Sequence, residues 1–180
     1  MDKKRGSTVF LPSLKDSLFL GFCAAFIIIT RIALRLHLKI PGHSMFFTLF
    51  FLFIARGCVP WRFSATFAGF LSGIIAVILG LGKGGPLVLL KFLMPGMVVD
   101  ICAFVMPMLF ESYFLCALTG LLAAATKFID TLIKDYIIGM DRSIIVKHAL
   151  IDASGAIFFG VAAGLFVPPV IKKLKAFDVI

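Results

Sequence analysis

The chain has 180 residues, 61% of them hydrophobic, and a formal net charge of +9 from 18 Lys and Arg against 9 Asp and Glu. Ordinary globular domains are roughly 45–50% apolar, so this load excludes a soluble domain and points to an integral membrane protein. The apolar runs are continuous and not alternating, which disfavours a β-barrel. The positive balance fits basic residues that flank membrane spans; no nucleic-acid motif accompanies it.

Six apolar helices are expected, forming one all-α, six-transmembrane-helix domain over residues 1–180. The N-terminal MDKKRG is basic, but the apolar run from Leu18 is span-length and lacks a clear small-x-small cleavage site. It reads as the first retained helix, Ser17–Leu34, and not as a signal peptide. The second span is Ser44–Val59. The third, Ser64–Leu81, closes on the Gly-rich turn GLGKGG. That turn lacks the GxxxxGK[ST] spacing of a phosphate loop and joins two spans instead of a strand and a helix.

The fourth span, Pro86–Phe110, carries Lys91 and Asp100 inside an apolar stretch, with Pro95-Gly96 between them. Charge in hydrocarbon costs at least ~2.5–3.5 kcal/mol per residue, so such a span does more than anchor. The Pro-Gly pair frees backbone groups and reads as a break between a binding half and a packing half. The fifth span is Ser112–Ile133 and the sixth Leu150–Ile171. Between them Lys134–Lys147 reads as the longest loop.

An even span count puts both termini on one side. Nine basic residues (Lys3, Lys4, Arg5, Lys15, Arg56, Arg62, Lys172, Lys173 and Lys175) fall on that side and eight on the other. The terminal clusters lie in short, nearly acid-free segments beside span ends, which makes both termini cytoplasmic. The expected location is a bacterial or archaeal plasma membrane, multi-pass. The opposite, outer side then holds the loops RLHLKIPGHS, GLGKGG and KDYIIGMDRSIIVK.

Small residues recur four apart at Ala65, Gly69 and Gly73, at Ala156, Gly160 and Gly164, at Gly21 and Ala25, and at Gly120 and Ala124. Such faces let helix backbones approach closely. Packing within the bundle accounts for most of them; the first or sixth span is the candidate for docking another subunit.

Candidate ligand contacts gather in the outer third. Lys91 lies roughly 8 Å in from the outer end of its span at 1.5 Å per residue. Lys127 and Asp130 sit near the outer end of the fifth span. His148 and Asp152 are four apart at the start of the sixth, on one helix face. His43 belongs to the first outer loop, which reads as a lid or a plain connector. The competing structural reading pairs Lys127 with Asp130 and His148 with Asp152, and lets Lys91 snorkel outward. Asp100 has no evident partner and reads as structural, Glu111 as an interfacial charge. His37, His43 and His148 are too scattered for a metal signature, and no nucleophile elbow or HExxH motif is present. No enzyme activity, metal or cofactor is expected. Cys23, Cys58, Cys102 and Cys116 form no CxxC and read as reduced packing residues.

Six short spans, both termini inside, a long outer loop before the last span, the segment SATFAGFLSGIIAVILG with its Gly-rich turn, LKFLMPGMVVDI, and the final DASGAIFFGVAAGLFVPPVIKKLKAFDVI resemble the substrate-binding S components of energy-coupling-factor (ECF) vitamin transporters. The resemblance implies a six-helix bundle that binds a small water-soluble vitamin or precursor on its outer side and topples in the bilayer to deliver it. A transmembrane coupling subunit and two ATPases would be its partners. It also implies a pocket built from the first, third and fifth loops and spans four to six, where the outer cluster lies. The family's AxxxA docking face on span one is replaced here by Gly21-xxx-Ala25. The aromatic-rich pocket of thiamine binders is not evident, since Trp61 falls on the inner side. Two other readings stay open. A membrane scaffold or assembly subunit would have a broad apolar docking face and no outer cavity. A standalone secondary transporter would need a titrating carboxylate such as Asp100, and no inverted-repeat signal supports it.

Overall fold

The computed structural model describes residues 12–37, 42–81 and 85–176. Among these there are six α-helices and no strand: α1 (Leu14–His37), α2 (His43–Cys58), α3 (Ser64–Ile78), α4 (Val88–Val105), α5 (Tyr113–Ile138) and α6 (Arg142–Ala176). A short 3-10 turn, Gly85–Leu87, leads into α4. The segments Leu14–Ala33, Gly85–Val105, Tyr113–Ile138 and Arg142–Leu174 are long and apolar enough to cross a membrane. Helices α2 and α3 are apolar but shorter, with 16 and 15 residues. The expected loop segments that include Pro41 and Lys83 lie outside the described residues.

Contacts fix the helix directions. The start of α3 meets the end of α4 through Ala65, Thr66 and Asp100. The end of α5 meets the start of α6 through Lys127 and Asp152. A Cβ on Gly42 would collide with α6 at Gly155, and one on Gly57 with Ile171, so α2 and α6 run parallel. The helices therefore alternate up and down. One end of the bundle gathers the ends of α1, α3 and α5 and the starts of α2, α4 and α6. The other gathers the start of α1, the ends of α2, α4 and α6, and the starts of α3 and α5.

Backbone approach is the main packing device, as it must be where lipid is as apolar as the side chains. A Cβ on Gly69 would stand 2.5 Å from the Phe92 carbonyl oxygen, and one on Gly96 would stand 2.7 Å from that of Ala65. Gly120 and Gly164 likewise meet the Gly160 and Cys116 carbonyls across α5 and α6. The small-residue stripes of α3, α5 and α6 are thus consumed inside the bundle. On α1 the case differs: nothing lies within 4 Å of a Cβ on Gly21. That helix buries Leu20, Cys23, Ala24, Ile27 and Ile28, and exposes Leu18, Phe22, Phe26 and Ile29 on its opposite side.

Two expectations need correction. The fourth span is not broken at Pro95-Gly96: α4 runs through Pro95, and Gly96 serves close approach to α3. The fifth and sixth spans are not joined by a long loop. Helix α5 continues to Ile138, and α6 begins at Arg142. Gly139 ends α5 at φ +80°; its N–H donates to the Tyr136 carbonyl and that of Met140 to the Asp135 carbonyl, both at 3.1 Å. This is the Schellman pattern, which uses a glycine to close a helix. The Asp141 carbonyl then accepts the Ile145 N–H at 3.0 Å and starts α6. At 1.5 Å per residue α6 is about 52 Å long, well beyond a hydrocarbon core of about 30 Å.

Candidate functional site

The ionisable groups of the helices separate into two sets, one at each end of the bundle. At the end where α1 starts and α6 stops, Asp100 of α4 reaches the start of α3. Its Oδ2 accepts the Thr66 N–H and Thr66 hydroxyl, each at 2.7 Å, and its Oδ1 accepts the Ala65 N–H at 3.2 Å. Helix α3 has no side-chain cap of its own, because Phe63 precedes it. Asp100 therefore caps α3 from another helix, satisfying orphan N–H groups and meeting the positive end of the helix dipole. Arg56 of α2 completes the set. Its Nε stands 3.3 Å from Asp100 Oδ1, an ion pair without hydrogen-bond geometry, and its guanidinium donates to the Trp61 carbonyl at 3.1 Å. Asp100 is structural, as expected, and its partners come from α2 and α3.

At the other end, α5 presents Lys127, Asp130 and Lys134 at spacings of three and four, and hence on one face. Lys127 Nζ stands 3.5 Å from Asp152 Oδ2 and 3.4 Å from the Asp152 carbonyl on α6. Lys134 donates to Asp130 Oδ2 at 2.6 Å. His148 Nδ1 lies 2.7 Å from Asp135 Oδ2. The pairings differ from the simple intrahelical ones: Lys127 and His148 both reach across to the facing helix, and Asp130 turns to Lys134. Lys127, Asp130 and Asp135 are buried, whereas His148 is exposed.

Lys91 enters this set from α4. It sits near the start of α4, one residue before Phe92, at the same end of the bundle as Lys127, Asp130 and Lys134 of α5. Arg31 lies over the Phe92 ring at 4.7 Å from its centroid. Among the described residues Lys91 makes no hydrogen bond or ion pair; each nearby carboxylate holds another lysine. Pro95 also has no N–H for the Lys91 carbonyl four residues back.

Of the expected ligand contacts, Lys91, Lys127, Asp130 and Asp152 come together. His148 lies one turn farther out, occupied by Asp135. His43 is the first residue of α2, so it stands on a helix and not on a lid. Gly42 beside it abuts the α6 backbone at Gly155, one turn from Asp152. Arg31, Lys134 and Asp135 belong to the site and were not foreseen. The Lys127, Asp130 and Lys134 spacing was a usable signal once α5 is extended past Ile133. The four cysteines are buried and form no disulfide among the described residues. No family model matches this chain, nor does any curated protein or solved structure.

Proposed function

We propose that the chain is a six-span membrane protein, both termini cytoplasmic, that captures a small water-soluble vitamin or precursor at the end away from its termini. In this reading it is the substrate-binding component of an ECF-type importer and performs no chemistry of its own. One observation carries the reading: charged side chains of α4, α5 and α6 lie at that end on segments of membrane length, and Lys91 has no ion pair among the described residues. Charge in such a position is expensive and marks ligand or ion sites by default. Helices α2 and α3 would complete the six spans by local thinning of the bilayer, which short helices can impose. The coupling subunit and its ATPases would be reached through α1, whose Gly21 and exposed apolar side remain unused within the bundle.

A titrating secondary transporter is less well supported, because both Asp100 oxygens are committed to α3 and Arg56. A scaffold draws on the same exposed α1 side and predicts partner binding with no solute. Native mass spectrometry of the gently purified full chain separates these readings. A retained small molecule, with or without partner subunits, supports capture. A folded protein that retains partners but no small molecule from any host membrane overturns it.

A further inference from the structure

The end of the bundle with the α5–α6 turn has more positive than negative charge close to Lys91. Arg31 over the Phe92 ring, Lys91 beside Phe92, and Lys127 and Lys134 lie there with Asp130 and Asp152. The two carboxylates are taken, Asp130 by Lys134 at 2.6 Å and Asp152 by Lys127 at 3.5 Å. Helices α2 and α4 begin at this end with no acidic residue in the first turn and no side-chain cap, whereas α6 begins directly after Asp141. Each such N-terminus presents roughly half a positive charge. The Asp100 end offers the contrast: there a helix start and an arginine share one saturated carboxylate.

We infer that the ligand captured at this end carries an oxyanion, a carboxylate or phosphate, which pairs with the Lys91 ammonium and is flanked by Lys127 and Arg31. The inference rests on the capture reading and narrows its substrate class to anions. Lysine recognises a phosphate or carboxylate as a point charge, and a charge-assisted hydrogen bond is about twice as strong as a neutral one. A free solute and a lipid headgroup both offer such an oxyanion; the chemistry at Lys91 is the same.

The test is thermal unfolding of the full chain in dodecylmaltoside at constant ionic strength, with inorganic phosphate, acetate, phosphatidylglycerol or choline chloride added. A ligand that binds only the folded state raises the midpoint as its concentration passes Kd. We expect phosphate, acetate or phosphatidylglycerol to raise the wild-type midpoint while choline does not. Lys91→Gln should weaken the apparent affinity roughly tenfold or more, as loss of one charge-assisted hydrogen bond predicts. Stabilisation by phosphate or acetate assigns the site to a soluble anion; stabilisation by phosphatidylglycerol alone assigns it to a lipid headgroup. If Lys91→Gln does not fold, Lys91→Met gives the same comparison. No shift with any anion, or equal shifts in wild type and variants, overturns the inference. A neutral or cationic molecule retained in native mass spectra and lost in Lys91→Met would overturn it while leaving capture intact.

Discussion

Asp100 and Lys91 lie nine residues apart on one helix and are used in opposite ways. Asp100 accepts from two backbone N–H groups and a hydroxyl of α3 and is ion-paired with the Arg56 guanidinium of α2. Lys91 shares its end of the bundle with other cations and with carboxylates that already have partners. A carboxylate whose every oxygen is satisfied holds helices together, and removing it leaves several groups orphaned. An ammonium with no counter-ion contributes little to holding the bundle together. The difference teaches that an ionisable residue within an apolar span is judged by its partners and not by its depth.

The contrast can be broken most forcefully at the Asp100 end. Asp100→Ala strands Arg56 and uncaps α3, and a broken buried pair costs about 3–5 kcal/mol. A large fall in the unfolding midpoint in detergent is expected. Gly69→Leu drives a side chain into the Phe92 carbonyl, for an overpacking cost of about 1–3 kcal/mol. Loss of a cysteine crosslink engineered between α3 and α4 would report it. Lys91→Met has the opposite sign: replacing an uncompensated charge with a side chain of similar length leaves stability unchanged or raises it by about 1 kcal/mol. A fall comparable to that of Asp100→Ala would erase the distinction between the two ends. The smallest effect is expected for His148→Ala, because the pair with Asp135 is half in solvent and exposed pairs give roughly 0.2–1 kcal/mol. A double-mutant cycle of His148 and Asp135, read by thermal unfolding, checks that range.

The positions of the helices were legible in the apolar runs, because each run must bury its own backbone hydrogen bonds. The extent of α5 and α6 was not. KDYIIGMDRSIIVK is polar enough to read as a loop, yet it holds a helix-closing Gly139 and, two residues later, Asp141 at the start of the next helix. Those two residues were the signal for a tight helical hairpin. Pro95-Gly96 misled in the other direction. A buried proline in a membrane helix is tolerated by neighbours, and the glycine was there for α3. The charged cluster was legible as a set, since Lys91, Lys127, Asp130 and Asp152 do converge. Its pairing was not, because whether Lys127 turns to Asp130 or crosses to Asp152 depends on how α5 and α6 face each other. Asp100 was readable as structural only by elimination, for its main partner is the backbone at the start of α3.

The most direct measurement is native mass spectrometry of wild type and Lys91→Met purified side by side, each with its unfolding midpoint. The account predicts a small molecule retained by wild type and lost from Lys91→Met, while the variant melts at or above the wild-type midpoint. A variant that keeps the molecule, or that loses it only because the bundle unfolds, would contradict the claim that Lys91 serves the ligand and not the fold.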